Sequence, residues 1–218
     1  AKVPFLVFFK NSLFISIVAT IGTVISSAVV AYGFARFDFK GKKILFAAML
    51  LSMMLPAQVL MIPQYLWYQK LGWVGSYLPL IVPYFFAIQG FFVYLMTNFI
   101  DGIPKELDEA AEIDGATDFQ IFTRIMLPAI RPILIVIFLF SFTGAWNDFL
   151  WPTLVFNDIN KMPVTAGLQL LSNQMGQYNQ MGSLMAATCM AIIPTLLLFL
   201  FAQKYFLQSL NITSGLKG

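Results

Sequence analysis

The chain has 218 residues, 59% of them hydrophobic and only 11% charged, with a mean hydropathy of +0.80. Soluble domains run nearer half apolar and a quarter charged, so the composition excludes one and describes an all-α polytopic membrane protein. The net charge of +3 comes from Lys and Arg at the ends of apolar runs rather than in one patch, which argues against a nucleic-acid partner.

Residues 1–11 read as a short lead-in carrying Lys2 and Lys10. The first apolar run, Leu13 to Phe34, covers about 33 Å as a helix, enough to span a bilayer. Its Ser16, Thr20, Thr23, Ser26, Ser27, Ala28 and Ala31 suit close helix packing. Arg36, Lys40, Lys42 and Lys43 follow. The second run, Ile44 to Ile62, contains Pro56 and Gln58, which predict a kink or break. Trp67, Tyr68 and Trp73 in the next loop read as interfacial anchors. The third run is Tyr77 to Phe99, with Pro79, Pro83 and a central Gln89.

A polar segment, Pro104 to Pro128, separates the third run from the fourth. Seven of the ten acidic residues sit at or just before it. Its pattern predicts two short helices with a break. Pro104 suits a first helical position. Leu107, Ala110, Ala111 and Asp114 then share one small, flat face. Gly115 is the expected stop, because glycine takes a left-handed backbone cheaply. Thr117 and Gln120 form a capping box that starts the second helix. Phe119, Phe122, Ile125 and Met126 give that helix an apolar stripe, and Pro128 ends it.

The fourth run, Ile133 to Leu154, is interrupted by Trp146-Asn147-Asp148. A loop rich in Asn, Gln and Met, residues 155–180, leads to the fifth run, Met181 to Phe201, and a tail over about 202–218. If the acidic loop faces the cytoplasm, nine basic residues lie inside and four outside, which favours that orientation. The C-terminus is then cytoplasmic as well. The whole chain reads as one transmembrane domain, residues 1–218.

Glu109-Ala110-Ala111, Asp114-Gly115-Ala116, Phe122, Ile125 and Leu127-Pro128 together resemble the EAA loop of the permease subunits of bacterial ABC importers. Nearly the whole chain is similar to the maltose-type carbohydrate permeases. Asn11-Ser12-Leu13 looks like the start of that family's second helix. Trp146-Asn147-Asp148-Phe149 with Pro152 looks like an outward helix end, and Gly215-Leu216-Lys217-Gly218 resembles the C-terminal signature. Members usually have six spans and five are read here, so the first has no counterpart in this sequence. The resemblance implies a multi-pass subunit of the bacterial inner membrane, with the EAA loop of about 101–131 as a cytoplasmic coupling helix. It implies pairing with a second, homologous permease, two ATP-binding cassette ATPase subunits and an extracytoplasmic sugar-binding protein. Leu107, Glu109, Ala110, Ala111, Asp114, Gly115 and Ala116 would then form the ATPase contact. The tail reads either as a second such contact or as a solvated end.

Gln89, Asn147, Asp148 and Thr188 are polar groups inside apolar runs, where they normally face protein or a water-filled path. They read either as helix–helix hydrogen bonds or as the wall of a translocation path that meets sugar hydroxyls. Trp146 reads as a platform for a sugar ring on that translocation path or as an interfacial anchor. Asp148 is also compatible with the outer membrane surface. No phosphate-binding G-x-x-x-x-G-K-[ST] sequence is present, and without His there is no triad base. The lone Cys189 makes an intrachain disulfide impossible and, with no His, a metal site unexpected. The chain is therefore expected to be no enzyme and to carry no cofactor, with ATP and magnesium on the partner ATPase. An ATP-independent secondary transporter or channel fits the composition equally well, but leaves the EAA string unexplained.

Overall fold

The computed structural model describes residues 4–175 and 181–215, and among these no strand is present. The first helix, α1 (Phe5–Arg36), is the axis of the molecule. At about 1.5 Å per residue its 32 residues reach about 48 Å, more than a hydrocarbon core requires. It begins well before the expected Leu13. Pro4 precedes it, and Phe5 to Phe9 are apolar enough to continue the helix inward, with Phe8 fully buried. Residues 5–11 are thus helix rather than lead-in.

The polar stripe of α1 faces protein, not lipid. Ser12, Ser16, Thr20, Thr23, Ser26 and Ser27 are all buried, as are Ala19, Ala28 and Ala31. Small side chains let α5 (Gly90–Asp101) and α9 (Arg131–Asn147) lie close against this helix. One core cluster surrounds the end of α1 near Arg36, with Tyr32, Met96, Ile100, Met126, Ile130 and Ile137. A second surrounds its start, with Phe8, Phe142, Trp146, Val155, Phe156 and Val164.

Three to five spans are accommodated among the described residues. Phe5–Arg36, Leu78–Asp101 and Met181–Gln203 are each long and apolar enough to cross a membrane. Two bent helix pairs bring the number to five if each is counted as one span. α2 (Lys42–Ser52) and α3 (Ala57–Lys70) meet at 103°. Pro56 stands at the start of α3 with extended backbone, so the expected break falls there. Ile44, Leu51, Met54, Val59 and Ile62 remain exposed on this pair, as suits residues that meet lipid or a neighbouring subunit. The second pair, Asp118–Ala129 and α9, bends by 76° at Ile130, just before Pro132.

The third span is not one continuous helix. It runs as α4 (Leu78–Ile81), a 3₁₀ turn over Val82–Phe86, a break at residues 87–89, and then α5. Beyond α9 the chain forms the short α10 (Leu150–Val155), a 3₁₀ turn at Ile159–Lys161 and α11 (Val164–Met175). The expected loop after the fourth run is therefore partly helical. α12 (Met181–Gly215) packs on α9 and α11. Residues 216–218 of the C-terminal signature lie outside the described residues.

Candidate functional site

Two places carry unusual chemistry: the polar loop and the break in the third span. The loop contains α6 (Glu106–Ile113), α7 (Asp118–Ile121), a π-helical stretch over Phe122–Met126, and α8 (Leu127–Ala129). α6 starts two residues after Pro104, with Lys105 as its first cap. Gly115 ends the first half in the left-handed region, with φ +81°. The capping box is complete. Gln120 N–H donates to Thr117 Oγ1 at 3.4 Å, and Thr117 N–H donates to Gln120 Oε1 at 2.9 Å.

The loop is anchored from one side. Ile121, Met126 and Ile130 are buried, and the Phe122 ring lies 5.0 Å from that of Tyr32 on α1. Asp108 and Ala111, three residues apart on α6, turn inward. Asp108 Oδ2 lies 2.5 Å from Arg36 Nε, with side-chain exposures of 12% and 6%. This is an ion pair by proximity rather than an aligned hydrogen bond, since Arg36 Nε and Nη1 and both Asp108 oxygens have no hydrogen-bond partner. Arg36 Nη2 also donates to the Ile103 carbonyl at 2.9 Å. Removing one member of such a pair leaves the other charge buried and uncompensated, at a cost on the order of 3–5 kcal/mol.

Of the residues expected to form a docking face, Leu107, Glu109, Ala110, Asp114 and Gly115 are exposed and Ala116 is half-buried. Ala111 is buried against the chain itself. Ile113, and Phe119 from the expected stripe of the second helix, add exposed apolar surface, at 87% and 74% exposure.

At the break in the third span, Ala87 has φ +51° and is the non-glycine residue with positive φ among the described residues. An L-residue there costs roughly 1–2 kcal/mol. Ser26 Oγ of α1 donates to the Tyr84 carbonyl at 2.9 Å, supplying a partner where the 3₁₀ turn runs out. Irregular backbone at this depth is tolerated where it is buried in protein or lines a water-filled cavity. Here it lines two cavities, of about 540 and 390 Å³, which share Tyr84, Gln89 and Trp151 as walls.

The second cavity brings together Gln89, Asn147 and Asp148. Asn147 donates to the Thr143 carbonyl of its own helix at 2.9 Å. Asp148 shapes the next turn: its Oδ1 accepts from the Leu150 and Trp151 N–H groups at 3.1 and 3.4 Å. None of these bonds joins two spanning helices. Trp146 does not belong with them. It is 2% exposed, stacks on Phe142, meets Phe9 edge-on and donates Nε1–H to the Ala191 carbonyl at 3.0 Å. It is neither a sugar platform nor an interfacial anchor, because its full ring is worth more in the core and its N–H finds a partner there. Thr188 is exposed on α12 and bonds the Leu184 carbonyl of the same helix. Trp151 and Tyr84 are the aromatic residues that line both cavities instead. Their placement depends on the turn after Asp148, where the sequence marks an interruption, and on the break in the third span, which the sequence does not mark. No group of His, Cys, Asp or Glu able to hold a metal is present among the described residues.

The family described as binding-protein-dependent transport system inner membrane component matches residues 23–212. The arabinooligosaccharides transport system permease protein of Bacillus subtilis is 34% identical over 210 residues, covering 96% of this chain and 73% of its own length. The trehalose/maltose transport system permease protein of Thermococcus litoralis is 33% identical, with 97% and 75% covered. A solved bacterial ABC transporter involved in the import of the acidic polysaccharide alginate superimposes with a TM-score of 0.82 at 25% identity, over 93% of this chain and 75% of that one. On this extent of match, the chain belongs to the family of binding-protein-dependent transport system inner membrane components.

Proposed function

We propose that this chain is one of two membrane-spanning subunits of an ATP-driven importer of neutral oligosaccharides. It would work with a second, homologous permease, two ATPase subunits and an extracytoplasmic sugar-binding protein. The observation that carries this reading is the loop of residues 104–130, packed into the core on one side while Leu107, Ala110, Ile113 and Phe119 stay bare on the other. Such a loop suits a coupling element that faces the cytoplasm and rides on an ATPase. The relatives' names support a carbohydrate cargo. The cavity walls support a neutral one, since Tyr84, Gln89, Asn147 and Trp151 offer amides and aromatic faces and, among the described residues, neither wall includes Lys or Arg. Aromatic faces cover apolar sugar faces, and amides serve hydroxyls.

In this mechanism ATP and magnesium sit on the partner ATPases. Their closure moves the coupling loops, and the spans retilt to open the cavity toward the binding protein. ATP shifts that equilibrium only through contacts that differ between the two states. Leu107, Glu109, Ala110, Asp114 and Gly115 would supply this chain's share.

The test is isolation of the chain in mild detergent from its own membrane, followed by ATP-dependent uptake in proteoliposomes. Co-isolation of an ATP-hydrolysing subunit and a requirement for ATP are expected. Uptake without either would identify an ATP-independent transporter or channel. Gly115→Val is expected to insert normally but to lose stimulation of ATP hydrolysis by the binding protein. The position has open space for a side chain, so only the left-handed backbone opposes the change.

A further inference from the structure

Arg36 closes the last turn of α1, and its guanidinium holds two separate parts of the polar loop. It bonds the Ile103 carbonyl, where the chain leaves α5, and it pairs with Asp108 inside α6. The segment between α5 and α6 contains Gly102 and Pro104 and has no regular structure of its own, so it is a poor strut. The rigid route from loop to membrane is therefore α1. Ten residues back along that helix, about 15 Å away, Ser26 bonds the Tyr84 carbonyl beside the break that lines both cavities. At Gly22, one turn further, a Cβ would fall 2.6 Å from the Phe85 ring, so helix and break are in direct contact there as well.

We propose that the buried pair Arg36–Asp108 is the joint that transmits movement of the coupling loop to the cavity, with α1 as the connecting rod. This rests on the function proposed above and adds positioning roles for two residues outside the exposed docking face. A buried charge pair suits a joint better than an apolar contact. Apolar surfaces slide with little change in energy, whereas separating these two charges leaves each without a counter-charge in a poorly solvated place. The loop and the helix end are thereby held to move together. Ser26 and Gly22 then pass the displacement to residues 84–89, where backbone already off the helical path can change shape.

The experiment uses the whole complex with its ATPases, in proteoliposomes, with Cys189→Ser and a reporter Ala145→Cys in the cavity wall. Labelling by a water-soluble maleimide is compared without nucleotide and with ATP plus vanadate. The parent complex is expected to change its labelling rate about tenfold, within the usual range of coupling between sites. Asp108→Asn, which keeps the shape and one acceptor oxygen, is expected to retain ATPase co-isolation and ATP hydrolysis but to lose the nucleotide-dependent change in labelling. The reversed pair, Arg36→Asp with Asp108→Arg, is expected to regain it. A full response in Asp108→Asn overturns the joint while leaving the importer reading intact. A parent complex with no ATPase or no response defeats the importer reading instead. If Asp108→Asn fails to assemble, the reversed pair decides. Its response supports the joint, and its silence or failure to assemble reduces the pair to a folding contact and overturns the proposal.

Discussion

The two ends of α1 are held by opposite kinds of chemistry. At its start the contacts are neutral and shared among several partners. Ser12 Oγ accepts from the Val164 N–H at 2.7 Å, and Asn11 Nδ2 donates to the Asn160 and Met162 carbonyls at 2.8 and 3.1 Å. Tyr77 Oη donates to Asn11 Oδ1 at 3.1 Å. At its finish one guanidinium faces one carboxylate, both nearly out of reach of solvent. A neutral network loses stability in small steps, because each bond adds only about 0.5–1.5 kcal/mol. A buried ion pair fails as a unit. The start of the helix is thus built as a fixed anchor for α11 and the turn before it, and the finish as a joint that is either engaged or broken.

The largest effect is expected where that contrast is sharpest. Asp108→Ala leaves Arg36 buried without a counter-charge and should cost on the order of 3–5 kcal/mol, read as a lower Tm of the detergent-solubilised complex. Replacing both members, Arg36→Met with Asp108→Leu, should recover most of that Tm, because well-packed apolar pairs often match buried ion pairs in stability. Equal losses in the single and double variants would mean that the pair is not coupled. At the anchored end, Gly167→Ala should have the next largest effect. Its new Cβ would fall inside the van der Waals radius of the Phe8 ring, which is 1% exposed and has nowhere to turn. Overpacking of this kind costs about 1–3 kcal/mol. Phe8→Leu in the same chain should relieve part of it.

The same contrast explains what could be read from the sequence. The loop's stop at Gly115 and its capping box at Thr117 and Gln120 are present as read, because both signals are local: one residue's backbone freedom, and two side chains three positions apart. The five apolar runs likewise correspond to three continuous candidate spans and two bent helix pairs, with Pro56 marking the sharp bend of the second run. The pair Arg36–Asp108 left no such mark, since its members come from different segments and neither position is unusual alone. The visible trace was the spacing of Asp108 and Ala111, which puts a charge beside a small residue on one helix face. Trp146 misled for a related reason. A Trp next to Asn and Asp resembles an interfacial residue, and only the packing of Phe9, Phe142 and α12 around it shows that it belongs to the core. The break at Ala87 was hidden because alanine is the best helix former, and nothing local predicts a left-handed alanine.

The smallest effect, and the finest probe of the anchor, is Asn11→Ala. This side chain joins three partners, but its bond to Asn160 lies at the exposed rim, where water can replace a lost donor. The change should therefore cost about 0.5–1.5 kcal/mol and lower Tm only slightly. It should leave the nucleotide response of a cavity reporter untouched, because the anchored end has no part in transmitting loop movement. Lys161 still donates to the Gly75 carbonyl at 2.8 Å, and Ser12 still receives Val164, so the turn before α11 keeps two independent ties to its surroundings. If Asn11→Ala instead abolished that response at an unchanged Tm, both ends of α1 would have to move, and the picture of a rod fixed at one end and driven at the other would fail.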